Sequence, residues 1–144
     1  MRVALVTGGG SGIGRSAALE LNKIDFTVYV VGRREEELIK TSSLATNNNH
    51  KIIPIKTDIT IGSQVIALFD KIKSDHGRID LLFNNAGMGA PRVPIEDLKE
   101  EDWRKTVDVN LTGSFLCSQQ AIKLMKYQSP QGGRIINNGS VSAH

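Results

Sequence analysis

The spacing of apolar positions changes several times along the chain. Residues 3–6 (Val-Ala-Leu-Val) form a short continuous apolar run followed closely by glycines, as in a strand buried on both faces. Residues 13–23 take up helical spacing, with Ile13, Ala17, Ala18 and Leu21 on one face. Residues 27–31 are rich in β-branched side chains and predict a second strand. Residues 35–44 predict a polar helix with Leu38 and Ile39 inward, closed by a loop at Asn47, Asn48 and Asn49. A third strand follows at 52–55; Pro54 lacks an N–H, which places this strand at a sheet edge. Val65, Leu68, Phe69 and Ile72 make an i, i+3, i+4, i+7 stripe that ends at His76 and Gly77. Residues 81–83 are a fourth strand. A long helical pattern covers 101–127, with Trp103, Val107, Asn110 and Ser114 in one line and Leu111, Phe115, Ser118, Ile122 and Met125 in the next. A fifth strand, 134–137, follows the Gly132-Gly133 turn. Repeated strand–helix alternation predicts an α/β fold: a parallel sheet with right-handed crossovers and helices on both faces.

Composition narrows the class. The 144 residues make one domain, 1–144, at about 150 residues per domain. With 40% apolar and 23% charged residues the chain can build a sizeable core. The formal net charge is +3, and acidic Glu35, Glu36 and Glu37 stand beside basic Arg33 and Arg34. With no run of five like charges, no nucleic-acid partner is expected. A single cysteine, Cys117, excludes an internal disulfide and a cysteine-built zinc site, and no metal is expected. Its neighbours Phe115 and Leu116 predict a buried, inert thiol. The first apolar run is too short for a signal peptide, and no stretch approaches the roughly 18 apolar residues that span a bilayer. The expected location is the cytoplasm, with no membrane partner.

Candidate chemistry begins at residues 7–14, Thr-Gly-Gly-Gly-Ser-Gly-Ile-Gly, between the first strand and the first helix. Glycines serve three needs there: positive φ in a tight turn, close approach to a pyrophosphate, and packing of the helix on its strand. The helix then aims its free N–H groups at the phosphates. The spacing is TGxxxGxG, and Gly8, Ser11, Gly12, Ile13 and Gly14 are the candidate contacts. Two other readings stay open. One is a plain strand–helix turn. The other is the phosphate loop of a nucleoside triphosphatase, since residues 9–16 read GxxxxG-Arg-Ser; Arg15 stands where that loop needs lysine, and Asp58 is the nearest candidate for a magnesium-binding aspartate.

Five further segments follow in order: Gly32-Arg33-Arg34, Asp58-Ile59, Asn84-Asn85-Ala86-Gly87, Val109-Asn110-Leu111 and Asn137-Asn138-Gly139-Ser140. Together with the glycine turn they resemble the short-chain dehydrogenase/reductase family over nearly the whole chain. The resemblance implies a doubly wound Rossmann-type sheet of order 3-2-1-4-5. It also implies hydride transfer between a nicotinamide and the carbonyl or alcohol of a small molecule, by a homo-oligomer. In that family Asp58 and Ile59 would meet the adenine, and Asn85, Ala86 and Gly87 would lie along the ribose, with Asn85 equally able to brace the sheet. Ser140 would polarise the carbonyl and Asn110 would support a proton-relay water; Ser142 would match a non-catalytic position. As a poor helix former, Asn110 also predicts a kink, and its alternative role is that of a satisfied polar core residue. An enzyme that prefers NAD places a carboxylate about 20 residues past the glycines, to bond the ribose 2′-OH. Here Gly32 is followed by two arginines, which favours NADP(H) over NAD(H), Arg33 more than Arg34; the alternative is a solvated helix start. Arg15 is expected to face solvent rather than phosphate.

The family's YxxxK motif has no counterpart among the 144 residues. Tyr29 is followed four positions later by Arg33, and Tyr127 by Gln131. The sixth and seventh strands of the family also have no counterpart. The expectation is a chain truncated before that motif, whether as a gene product, an early stop or a partial gene model. Three functions follow from these residues: an NADP(H)-dependent oxidoreductase represented by its cofactor-binding part, a non-catalytic dinucleotide-binding module, and the phosphate-loop triphosphatase.

Overall fold

The computed structural model describes residues 1–140. Ser142 lies outside the described residues. Five strands form one parallel sheet: β1 (Arg2–Thr7), β2 (Phe26–Gly32), β3 (Ile52–Lys56), β4 (Leu81–Asn84) and β5 (Arg134–Asn137). Their order is β3-β2-β1-β4-β5, as the family resemblance implies, and all four pairings are parallel. Helices α1 (Gly12–Lys23), α2 (Glu35–Ser43), α3 (Gly62–His76), α4 (Glu100–Val107) and α5 (Gly113–Tyr127) make the crossovers.

The continuous apolar runs of β1 and β2 are explained by cover on both faces. Side chains alternate across the sheet with a period of two. Val3, Leu5, Tyr29 and Val31 point toward α3 and α5, where they pack with Ile72 and Cys117. Ala4, Val6, Val28 and Val30 point the other way, toward Ala18 of α1 and Leu38 of α2. Each fully buried Val, Leu or Ile contributes about 1.5–3 kcal/mol relative to exposure, so the two-sided burial of β1 and β2 makes them the most firmly held strands. Pro54 sits in β3, an edge strand, opposite Val30, as expected. Gly77 caps α3 at φ 68° and returns its N–H to Lys73 O at 2.8 Å. Burial raises the Cys117 thiol to about 12, so it stays protonated and inert at neutral pH.

Three helix faces differ from the pattern read in the sequence. In α1 the buried line is Gly14, Ala18 and Asn22, and Ile13 is 65% exposed. The line begins with a glycine because the first turn meets backbone rather than side chains. In α2, Leu38 and Thr41 are buried and Ile39 is exposed. The Thr41 hydroxyl donates to Gly9 O at 2.9 Å, which fixes the helix to the glycine turn and rotates Ile39 outward. The single helix expected over 101–127 is two helices joined by a wide π-type turn, Asp108–Thr112. Asn110 lies in that turn, where the kink was expected. The buried face of α5 runs through Gly113, Cys117 and Ala121, small residues that let the helix approach the sheet, and on to Leu124 and Met125, the latter as expected. Leu111, Phe115 and Ile122 face outward instead.

That outward line has an expected consequence. Phe115 is 58% exposed, and β5 pairs among the described strands with β4 alone, leaving Ile136 half exposed. Exposed apolar faces and open strand edges drive association. The 144-residue chain is therefore expected to self-associate, and the double substitution Phe115→Lys, Ile122→Lys to reduce it. Sedimentation velocity checks this; a wild-type monomer that melts in one sharp transition would contradict it.

Candidate functional site

The carboxyl ends of all five strands open on one side of the sheet. The chain leaves β1 toward one face and β4 toward the other, and this reversal creates a crevice between them. The glycine turn forms its floor. Gly8 has φ 66°, and the N–H groups of Gly8 and Gly9 donate to Val31 O at 2.9 and 3.2 Å, tying the turn to the end of β2. A Cβ on Gly14 would lie 2.3 Å from Gly8 O and 2.5 Å from Asn85 Nδ2. Glycine is required there because the first turn of α1 rests directly on backbone. At Gly12 (φ 53°) nothing lies within 4 Å of a Cβ, so that position borders open space. Gly9, which sequence reasoning left out, is also constrained, since a Cβ would meet Val30 at 2.7 Å.

Thr7 and Asn85 hold the turn to the loop after β4. The Thr7 hydroxyl oxygen accepts from the N–H of Asn85 at 3.0 Å and of Ala86 at 2.9 Å. Asn85 Nδ2 donates to Thr7 O at 3.0 Å. Asn85 thus braces the sheet ends, one of the two roles anticipated for it, while also lining the crevice. Thr7 was not singled out from the sequence, although it opens the TGxxxGxG pattern.

The crevice has two halves that share Asn85, Ala86 and Gly87. The half over β1–β3 has a volume of about 550 Å³ and is lined by Gly8, Ser11, Arg33, Arg34, Asp58 and Ile59, among others. Gly12, Ile13 and Gly14 form the first turn of α1 beside it. Arg33 and Arg34 are exposed at the end of β2, and Arg34 Nη2 donates to Ser11 Oγ at 3.3 Å. Arg34 therefore spans from the β2 end to the glycine turn. Arg15 faces neither solvent nor crevice. Its guanidinium bonds Gly10 O, Thr41 Oγ1 and, at 2.6 Å, the Glu37 carboxylate. That bond from Arg15 is the main cause that lowers the Glu37 pKa, so the Glu37 carboxylate, which lines this half, is already paired. Asp58 Oδ1 closes a local turn by accepting from the N–H and hydroxyl of Thr60, at 3.0 and 2.7 Å. Ile59 is buried against Gly113, where a Cβ would come within 2.6 Å of Ile59 Cδ1.

The half over β4 and β5 has a volume of about 810 Å³, and both Asn110 and Ser140 line it. Asn110 grips the backbone of Met88 at two points: its Oδ1 accepts from Met88 N–H at 2.9 Å and its Nδ2 donates to Met88 O at 2.8 Å. This grip holds the loop after β4 against the π-type turn. Asn84 Nδ2 donates to Ser118 Oγ at 3.0 Å and to Asn137 Oδ1 at 2.9 Å, joining β4, β5 and α5 beneath the crevice. The fold thus brings most of the sequence-predicted residues to one crevice, with Asn85, Ala86 and Gly87 at its middle, while Gly12, Ile13 and Gly14 lie beside it and do not line it. Among the described residues, no helix is long and apolar enough to cross a membrane.

Comparison with known proteins gives a consistent result. A family model described as short chain dehydrogenase matches residues 2–144. A 3beta-hydroxysteroid dehydrogenase of Mediterraneibacter gnavus is 36% identical over 141 residues, which are 98% of this chain and 50% of that protein. Among solved structures, a metagenomic short-chain oxidoreductase in complex with NADP superposes with a TM-score of 0.90 at 28% identity, covering 97% of this chain and 62% of the other. An NAD+-bound xylitol dehydrogenase superposes with a TM-score of 0.91 at 30% identity, covering 99% and 54%. The chain spans about half the length of the curated relatives it matches.

Proposed function

The chain belongs to the short-chain dehydrogenase family, and from that premise we propose that its crevice binds NADP(H) in preference to NAD(H), as the cofactor-binding part of an oxidoreductase that acts on the carbonyl or alcohol of a small molecule. Family membership sets the triphosphatase reading aside. The observation that carries the proposal is the pairing of two features along one crevice. A glycine cradle sits at the start of α1, with open space at Gly12, and two exposed arginines sit at the end of β2, where no carboxylate stands at Gly32.

The residues fit the cofactor part by part. Gly8, Ser11, Gly12, Ile13 and Gly14 would hold the pyrophosphate through the free N–H groups of α1. Arg33 and Arg34 would bond a 2′-phosphate, and Glu37, paired with Arg15, would not oppose it. Asp58 and Ile59 would border the adenine, and Asn85, Ala86 and Gly87 the ribose. When bound, the nicotinamide supplies or accepts the hydride. In the other half, Ser140 would donate a hydrogen bond to the oxygen that gains charge. Asn110, with its side chain committed to Met88, would act by fixing the shape of the π-type turn. Relatives bound to NADP and to NAD+ share this fold, so the preference rests on the arginines.

Arg33→Ala is expected to lower the ratio of NADPH to NADH affinity about tenfold or more, the loss of a charge-assisted contact to the 2′-phosphate. Fluorescence titration with both dinucleotides measures it. An unchanged ratio would remove Arg33 from the assignment. The second reading is a module that binds the dinucleotide without chemistry. Titration cannot separate it from the first, but turnover can.

A further inference from the structure

Asn138 ties the end of β5 to the glycine turn, and the next residue gives that tie a chemical weakness. Its Nδ2 donates to Asn85 Oδ1 at 3.1 Å, and its backbone N–H donates to Asn84 O at 3.0 Å. Asn85 in turn holds Thr7 O and, more weakly, Gly8 O. The side-chain path therefore runs from β5 through Asn138 and Asn85 to the cradle. Asn138 is also the one asparagine of the chain that is followed by glycine. Both residues are exposed, outside any helix or strand, and nothing lies within 4 Å of a Cβ on Gly139.

We propose that Asn138 is a site of spontaneous deamidation that loosens the glycine turn. A backbone nitrogen followed by no Cβ is the least hindered nucleophile a chain offers, and glycine also has the freest backbone with which to reach the neighbouring side chain. The Gly139 nitrogen attacks Cγ of Asn138, and a new N–C bond forms. The C–N bond of the side-chain amide breaks, and ammonia leaves with the proton that Gly139 gives up. Water then opens the resulting five-membered imide at either carbonyl, to aspartate or isoaspartate. No oxidant or reductant is needed.

The product carboxylate has no N–H to give. It faces Asn85 Oδ1, an acceptor, so the two repel. If the Asn85 amide turns to present Nδ2 to the carboxylate, it releases Thr7 O. Either way the bond between Asn85 and the turn, or the bond from Asn138, is lost. The new negative charge is also added beside the loop at residues 85–87, which both halves of the crevice share. The other asparagine that bears on this loop, Asn110, precedes Leu111 and is held at both side-chain polar atoms, so it is protected from the same chemistry.

The test uses the full chain aged in mildly alkaline buffer, with peptide mapping of every asparagine. Asn138 is expected to convert first, ahead of Asn47, Asn48 and Asn49 in their exposed loop, and Gly139→Ala to suppress conversion. Amide exchange of the peptide covering residues 7–10 is expected to speed up about tenfold in aged protein and in Asn138→Asp, one hydrogen bond of the path to the turn being lost. Gly139→Ala aged in parallel keeps the unaged exchange rate. Conversion of Asn138 no faster than of the loop asparagines overturns the proposal, as does unchanged exchange at residues 7–10 in fully converted protein. A matching loss of NADPH affinity is also expected; this last readout alone rests on the dinucleotide reading. Fresh protein that binds no dinucleotide would end that reading and leave the mapping and exchange results to decide this one.

Discussion

Gly14→Ala is expected to lower the unfolding free energy by about 3 kcal/mol, the upper range for forcing an extra methyl into a closed contact. The reason is geometric. The added Cβ would sit 2.3 Å from Gly8 O and 2.5 Å from Asn85 Nδ2, and the nearer of these is backbone that cannot swing aside. α1 would have to lift from the turn and break the packing of Ala18 against Val6 and Val28. Gly12→Ala makes the contrast. Its φ of 53° imposes a strain of about 1–2 kcal/mol, but its Cβ enters open space. The protein should stay folded while the methyl intrudes where a pyrophosphate would lie. Denaturant unfolding of both variants, with NADPH titration of Gly12→Ala, checks the pair. A Gly14→Ala protein as stable as wild type would mean that the turn is not packed as described. A Gly12→Ala protein that binds NADPH normally would move the phosphate site elsewhere.

The 144-residue chain alone should reduce no ketone and oxidise no alcohol at a rate near that of the family. Ser140 lines the crevice and Asn110 shapes it, but neither offers a group that passes a proton at neutral pH. The two tyrosines do not fill that role. Tyr29 is fully buried between the sheet and α3, with its hydroxyl 2.5 Å from Asp75 Oδ2. Burial, then the bond to Asp75, raises its pKa well above the ordinary range for a phenol. Tyr127 ends α5, away from both halves of the crevice. General acid–base transfer is worth about 10²–10⁴-fold. A further loss comes from the absent lysine of the motif, since positioning goes with it. The measurement is NADPH oxidation with a panel of ketones. Turnover that Ser140→Ala abolishes would refute this expectation. A longer chain carrying Tyr-x-x-x-Lys after Ser140 is expected to restore activity. If it does not, the binding-module reading moves ahead.

Much of the site was legible because the crevice is built from backbone. A tight strand–helix turn needs particular φ values and close approaches, and glycine is the residue that permits them, so Gly8, Gly12 and Gly14 mark it in one dimension. The arginines after β2 were legible for a related reason: the end of a strand in a parallel sheet points to the crevice whatever its side chain. Asn110 was recognisable as a residue that does not belong inside a regular helix, and the chain does widen into a π-type turn there. Arg15 was misjudged, and the bond of Arg34 to Ser11 was not foreseen, because a sequence does not say which carboxylate or hydroxyl a long side chain will meet. Only the docking of α2 on the turn put Glu37 and Thr41 beside Arg15, and only the turn's fold put Ser11 within reach of Arg34.

The sequence by itself determined the alternation of strands and helices, the parallel sheet, the edge position of β3 and the place of the glycine turn. These follow from periodicity, from proline's missing N–H and from glycine's missing Cβ, all of which are local. The tertiary structure alone decided which line of α1, α2 and α5 is buried, whereas the α3 stripe of Val65, Leu68, Phe69 and Ile72 is buried as the sequence predicts. In α1 and the first half of α5 the buried line is drawn by small residues, Gly14 and Ala18 in one and Gly113, Cys117 and Ala121 in the other, with Leu124 and Met125 buried only toward the end of α5, while large apolar side chains such as Ile13 and Phe115 turn outward. A hydrophobic stripe gives weight to the large residues. Close contact between a helix and a sheet is instead limited by the distance at which backbones meet, and that distance favours the small ones. The same closeness sets the path from Asn138 through Asn85 to the cradle, which joins residues more than fifty positions apart and exists only once β5 lies beside β4 and β4 beside β1.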